Sequence, residues 1–140
     1  MEKILVVDNE KSMRDLLTFA LKREGYAVES ADDGDTALQM LSCDIFDLIL
    51  TDVRMPRMSG VTLLKEAKAA SPQTVVIMMT AYASTESAVT AMKEGAYDYI
   101  TKPFQLDEVR LIIQNALERK KLKTENTHLK KELKERAAFS

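Results

Sequence analysis

Two spacings of hydrophobic residues take turns along the chain. Ile4-Leu5-Val6-Val7, Leu48-Ile49-Leu50-Thr51 and Val75-Val76-Ile77-Met78-Met79 are short apolar runs without helical spacing, the pattern of buried strands. Tyr26-Ala27-Val28-Glu29-Ser30 is a weaker, edge-like strand, and Tyr97-Asp98-Tyr99-Ile100 completes five. Between them the spacing turns helical. Met13, Leu16, Leu17, Ala20 and Leu21 fall at i, i+3, i+4, i+7 and i+8, with Ser12 as the expected N-cap and Gly25 as the stop. Ala37, Leu38 and Leu41 suit a second helix after the Asp32-Asp33-Gly34 turn. A third carries Val61, Leu63, Leu64 and Ala67 and is closed by Ser71-Pro72. A fourth spans 84–94, with Ala88, Val89 and Met92 expected inward and Gly95 at its end. The last starts near Leu106, where Asp107 and Glu108 complement the dipole of the first turn.

Strands alternating with helices predict an α/β fold: a five-stranded parallel sheet, doubly wound, because each parallel return needs a crossover. Ligands of such sheets sit beyond the carboxyl ends of the strands. The residues just past those ends therefore matter most: Asp8, Asn9 and Glu10, then Asp52, Thr80 and Lys102. Two carboxylates and an amide oxygen suit a hard cation, Mg2+ above others, since it takes few protein ligands and keeps water or phosphate oxygens. A hydroxyl and an ammonium suit phosphoryl oxygens. A carboxylate beside a divalent ion is also a competent nucleophile towards phosphorus. Each aspartate alone is equally well read as a loop or helix cap; the joint arrangement at four strand ends is harder to obtain that way. No His or Cys joins the cluster, against zinc or Cys–His chemistry, and no Gly-rich fingerprint follows the first strand, against dinucleotide binding.

Composition changes this picture in two places. The 140 residues fit one core, and the single Cys points to a reducing, cytoplasmic setting, with Cys43 expected semi-buried and inert. The N-terminal run is not expected to act as a signal peptide, and no apolar run approaches the roughly 20 residues that cross a bilayer. The net charge of -2 conceals an asymmetry: residues 1–117 hold 12 Lys/Arg against 18 Asp/Glu, whereas residues 118–140 hold 8 against 4. In the basic tail Leu122, Asn126, Leu129 and Leu133 are spaced 4, 3 and 4, a short coiled-coil-like seam, and Glu132 and Arg136 are placed to pair. An asparagine in such a seam favours two parallel strands; the alternative is a single solvated helix with one apolar stripe, on which His128 is simply solvated. No aromatic or recognition-helix pattern accompanies the basic charge, so direct nucleic-acid binding by this segment is not expected.

The motifs Val6-Val7-Asp8-Asn9-Glu10, Asp52-Val53-Arg54-Met55-Pro56-Arg57-Met58-Ser59-Gly60, Thr80-Ala81 and Lys102-Pro103-Phe104 are each weak alone. In this order, with 28 residues from Asp52 to Thr80 and 22 more to Lys102, they are specific. Over roughly residues 1–120 the chain resembles the receiver domain of bacterial two-component response regulators, with a flavodoxin-like fold. The resemblance implies that Asp52 accepts a phosphoryl group from a phosphohistidine of a sensor histidine kinase. It implies Mg2+ ligation by Asp8, Asn9, Asp52 and the backbone carbonyl of Arg54, and phosphoryl binding by Thr80 and Lys102. Tyr99 matches the aromatic switch that turns inward with Thr80, and the Lys102-Pro103 bond is expected to be cis. The first helix, including Met13, Arg14 and Leu17, is where the family meets its kinase, although Met13 and Leu17 also read as core. Arg54 and Tyr82 flank the path of a water attacking the acyl phosphate; they are read either as a shield or as two solvated loop side chains. Asn9 departs from the family's second acidic residue, and the lost charge predicts weaker metal binding.

Residues 121–140 resemble the start of the linker helix of NtrC-type (sigma-54) activators. The expected organisation is a receiver over 1–120 and a linker or dimerisation helix over 121–140. That helix would lead to ATPase and DNA-binding domains outside this sequence. The expected function is a cytoplasmic, phosphorylation-operated receiver whose homodimer state controls a transcriptional output, with no enzyme activity beyond self-phosphorylation and slow autodephosphorylation. Two alternatives stand beside it. One is a phosphate-independent dimerisation module with a degraded acidic site. The other is an Asp52-dependent phosphohydrolase, disfavoured because position 54 is Arg and Asp52 follows the third strand.

Overall fold

The computed structural model describes the backbone of residues 1–82 and 84–139 and the side chains of residues 1–82 and 84–122. The elements run β1 (Lys3–Val7), α1 (Lys11–Arg23), β2 (Ala27–Ala31), α2 (Gly34–Cys43), β3 (Leu48–Asp52), α3 (Gly60–Ala70), β4 (Val75–Thr80), α4 (Thr85–Lys93), β5 (Asp98–Thr101) and α5 (Leu106–Phe139). The strands form one parallel sheet in the order β2-β1-β3-β4-β5, so β2 is an edge as its weak apolar pattern suggests.

The two-residue period of the strands sorts the core into halves. Ile4, Val6, Leu48, Leu50, Ile77 and Met79 face one side, where they meet Leu17 and Leu21 of α1 and Val109, Ile113 and Leu117 of α5. Leu5, Val7, Ile49, Val76 and Met78 face the other and meet α2, α3 and α4 through Ala37, Leu63, Leu64, Ala67 and Ala91. Continuous apolar runs are needed because both faces of the sheet are covered. Local chemistry sets the ends of the helices. Gly25, at φ +95°, lets α1 finish with its N–H on the Lys22 carbonyl and the Tyr26 N–H on the Leu21 carbonyl, a Schellman closure. Asp33, Ser59 and Ser84 cap α2, α3 and α4 by accepting from the N–H of Thr36, Thr62 and Ser87.

Several expectations need correction. Glu10, not Ser12, is the N-cap of α1, and its side chain makes no capping bond; the Asp8 carboxylate holds the Glu10 N–H and starts the turn two residues earlier. Leu16 is 44% exposed, and on α4 Val89 and Met92 are 46% and 49% exposed while Ala91 is fully buried. The apolar residues of α4, Ala88, Val89, Ala91 and Met92, form a broad stripe on one side; the small Ala91 packs into the core, and the larger Val89 and Met92 turn outward. Cys43 is exposed, because it is the last residue of α2 and that helix buries only Gly34 and Ala37. β2 and β5 each begin one residue later than their apolar runs. The Lys102-Pro103 bond is cis, as expected. The backbone of α5 continues without a break through the tail, but the side chains of Asn126, Leu129 and Leu133, the Glu132/Arg136 pair and His128 lie outside the described residues. Leu122 is described and is 58% exposed.

Candidate functional site

The parallel register brings the carboxyl ends of the central strands level. Val7 pairs with Thr51, Asp52 with Met79 and Thr80 with Thr101, so Asp8, Asp52, Thr80 and Lys102 emerge at one edge of the sheet. Asp8, Asp52 and Thr80 are all buried, which is unusual for two carboxylates unless they are paired. Their partner is Lys102. Its Nζ lies 2.9 Å from Asp8 Oδ2 and 3.0 Å from Asp52 Oδ2, bridging residues 94 and 50 positions away in the chain. The other oxygen of each carboxylate accepts a backbone N–H two residues on, Glu10 at 2.9 Å and Arg54 at 3.1 Å. Two acid oxygens thus converge on one cation while the remaining two are held by the backbone.

Burial by itself would push the Lys102 ammonium towards neutrality, but the hydrogen bonds and charges of Asp8 and Asp52 outweigh it and hold its pKa above the ordinary lysine value. The ammonium is therefore charged throughout the neutral range. Thr80 is tied to the same corner through its backbone, whose carbonyl accepts the Lys102 N–H at 2.7 Å. Its hydroxyl accepts the Tyr82 N–H at 3.0 Å.

The remaining candidates are less intimate. Asn9 and Glu10 are exposed. Arg54 touches Asp52 through its N–H, and its guanidinium lies 4.2 Å from the centroid of the exposed Tyr82 ring, so the two side chains stack. Tyr99 is half-buried against the side of the sheet carrying α2, α3 and α4, and its hydroxyl is enclosed without a hydrogen-bond partner among the described residues. Met13 packs against the core and Leu17 is buried, while Arg14 is half-buried.

Sequence reasoning passed over two supports. A Cβ on Gly60 would lie 2.2 Å from the Asp52 carbonyl oxygen and 2.8 Å from Val53 Cα, so the start of α3 presses directly on the backbone of Asp52. The signal available was a glycine at a helix start, where serine and proline are commoner. The second is Arg14, whose Nη1 donates to the Asp8 carbonyl at 2.7 Å; nothing in the spacing of α1 announces it.

The donor set fits a hard divalent cation. Two buried carboxylates at the ends of neighbouring strands each turn one oxygen to the Lys102 ammonium, a position that already suits a cation, Asn9 follows Asp8 directly, and these donors are all oxygen. Among the described residues no group of three or more His, Cys, Asp or Glu side chains assembles.

Residues 4–133 match the family described as the response regulator receiver domain. The chain belongs to that family. This receiver domain is 44% identical over 127 residues to the regulatory protein AtoC of Escherichia coli K12, which covers 91% of this chain and 28% of AtoC. It therefore spans less than a third of that curated relative. Among solved structures, NtrX from Brucella abortus superimposes with a TM-score of 0.87 at 39% identity, covering 92% of this chain and 30% of NtrX. The beryllofluoride-activated NtrC4 receiver domain dimer gives 0.82 at 37% identity, covering 86% and 99% of the respective chains. The similarity to NtrC4 and NtrX agrees with the resemblance to NtrC-type receivers, and the five-stranded, doubly wound receiver fold is shared throughout. Among the described residues no helix is long and apolar enough to cross a membrane.

Proposed function

We propose that this receiver is a phosphorylation-operated switch with Asp52 as the phosphoryl acceptor and a sensor histidine kinase as the donor. The observation that carries this reading is the Lys102 ammonium bridging the buried Asp8 and Asp52 carboxylates at the sheet edge. In the transfer, an Asp52 oxygen attacks phosphorus and the P–N bond to the donor imidazole breaks. The imidazole leaves neutral, keeping the proton on its other ring nitrogen. Asp8, the Asn9 amide oxygen, Asp52 and the Arg54 carbonyl would hold Mg2+, which when bound screens the repulsion between carboxylate and phosphate. Lys102 and the Thr80 hydroxyl take the phosphoryl oxygens, and both are already anchored by the backbone around them.

The acyl phosphate adds about -1.5 to -2 charge to a pocket of low dielectric. Thr80 then exchanges the Tyr82 N–H for the phosphoryl group, and Tyr99 repacks beside it. The switch needs only a difference in phosphate affinity between the two packings. The stacked Arg54 and Tyr82 side chains stand over the approach of water and lengthen the life of the signal. We further propose a receiver body over 1–120 and a linker helix from 121. Leu122, Asn126, Leu129 and Leu133 of that helix would form a homodimer seam controlling ATPase and DNA-binding domains of a longer regulator. The fraction of AtoC that the chain spans is in keeping with this.

Incubation of the protein with Mg2+ and a small acyl phosphate tests the core of the proposal. Asp52 should become labelled, Asp52→Asn should abolish labelling, and chelation should suppress it. A wild-type protein that stays unlabelled favours the phosphate-independent module instead.

A further inference from the structure

The Asp8-Asn9-Glu10 turn carries two of the oxygen donors proposed above, yet it lies outside regular structure. Its pairing with β3 ends at Val7, and only the Asp8 N–H continues the pattern on the other side, onto the Ala31 carbonyl. Three bonds close the turn, and only one of them comes from a side chain of α1; the backbone bond from Arg14 is the first helical bond, which any residue but proline makes. Arg14 donates its backbone N–H to the Glu10 carbonyl at 3.1 Å and its Nη1 to the Asp8 carbonyl at 2.7 Å. The third closing bond is the Glu10 N–H on Asp8 Oδ1. A half-buried guanidinium donating at 2.7 Å is a charge-assisted bond, and it grips the carbonyl of the very residue whose carboxylate faces Lys102 and Asp52.

Coulomb's law makes this an odd neighbour for a cation site. A positive charge this close to the Asp8 backbone lowers the affinity of the pocket for a divalent ion, in a pocket where Asn9 has already removed one negative charge. We infer that Arg14 is a positioning residue for the cation site: it fixes the Asp8-Asn9-Glu10 turn so that Asp8 and Asn9 present their oxygens together, and this outweighs its charge. The inference rests on the proposed reading of the pocket as a divalent-cation site. It also has a distinctive sign. If Arg14 acted only through its charge, neutralising it would tighten cation binding; if it positions the turn, neutralising it loosens binding.

The experiment uses Mn2+ as the probe, followed by the loss of the free-ion paramagnetic resonance signal on titration into wild type, Arg14→Gln, Arg14→Lys and Asp52→Asn. Hydrogen exchange of the Glu10 amide is measured alongside. Arg14→Gln should weaken Mn2+ binding by about tenfold, the scale of lost support around a metal ligand, and should speed exchange at Glu10. Arg14→Lys, which keeps a charged donor, should recover most of both. A merely structural role would lower the thermal midpoint in all substitutions without moving the Mn2+ affinity of the folded protein. Unchanged or tighter binding in Arg14→Gln overturns the inference while leaving the cation site standing. Wild type that binds no Mn2+, or binds it equally well as Asp52→Asn, overturns the cation site itself and the role of Arg14 with it.

Discussion

At Gly60 the absence of a side chain matters because backbone lies on the other side. The 2.2 Å approach of a Cβ there is to the Asp52 carbonyl, and backbone of a central strand cannot swing away. Gly34 offers a milder case: its Cβ would meet only the Met58 side chain, Sδ at 2.7 Å and Cβ and Cγ at 3.0 Å, so the sulfur end can rotate aside and the rest need give by only a few tenths of an ångström. Gly60→Ala should therefore destabilise the fold by about 3 kcal/mol, the upper range for overpacking, and Gly34→Ala by less than about 1.5 kcal/mol. Urea unfolding of both variants measures the difference. Gly60→Ala should also reduce Asp52 labelling, since the strand end must shift to admit the methyl. The Arg54–Tyr82 stack belongs to the same scale. Replacing both by alanine should shorten the lifetime of the phosphoryl group, read from the decay of labelled protein, and leave the extent of initial labelling unchanged.

Among the elements, α4 shows how little the apolar pattern of a short helix says about its orientation. It has nine residues, capped by Ser84, and the only one it buries fully is Ala91. Val89 and Met92 face outward although a helical wheel can place them inward. Serine at either position should change stability by no more than about 0.5 kcal/mol, whereas Ala91→Leu should cost about 1–3 kcal/mol by overpacking. Denaturant midpoints of the three variants decide it. On α5 the pattern is faithful: Val109, Ile113, Ala116 and Leu117 recur at helical spacing and are all buried.

Across the whole molecule, the end of the sheet opposite the candidate site is drawn together by Asp47. Its Oδ2 accepts the Lys3 N–H at 2.8 Å, its Oδ1 accepts the Lys120 ammonium of α5 at 2.9 Å, and its carbonyl accepts the Val75 N–H at 3.0 Å. Burial pushes this carboxyl up, but the bonds from Lys3 and Lys120 outweigh it and hold its pKa below the ordinary value of 3.8. A folded-state value below the unfolded one means stability that is present above 3.8 and is lost as pH falls through the folded value. Asp47→Asn keeps an acceptor for the Lys3 N–H and removes the titration. It should flatten the pH dependence of the urea midpoint below about pH 4. At the other end of the sheet the sign reverses. Lys102 is raised, so the stability from its pairing is present below 10.5 and disappears as pH rises past its folded value.

Much of this was legible in the chain itself. Strand runs and helical spacing specified the β/α alternation, and in a parallel sheet that alternation is enough to send Asp8, Asp52, Thr80 and Lys102 to one edge, since every strand points the same way. Order and spacing of the motifs carried the family. What tertiary structure alone decided depends on how separate segments pack, whether the partners stand 94 positions apart in the chain, as for Asp8 and Lys102, or six, as for Asp8 and Arg14. The bridging of two carboxylates by Lys102, the grip of Arg14 on the Asp8 carbonyl and the pressure of Gly60 on Asp52 each join groups whose separation is set by packing rather than by local propensity. The same holds for the outward turn of Val89 and Met92. A short helix with apolar residues at 88, 89, 91 and 92 carries more apolar surface than it buries, and packing against the sheet selects Ala91.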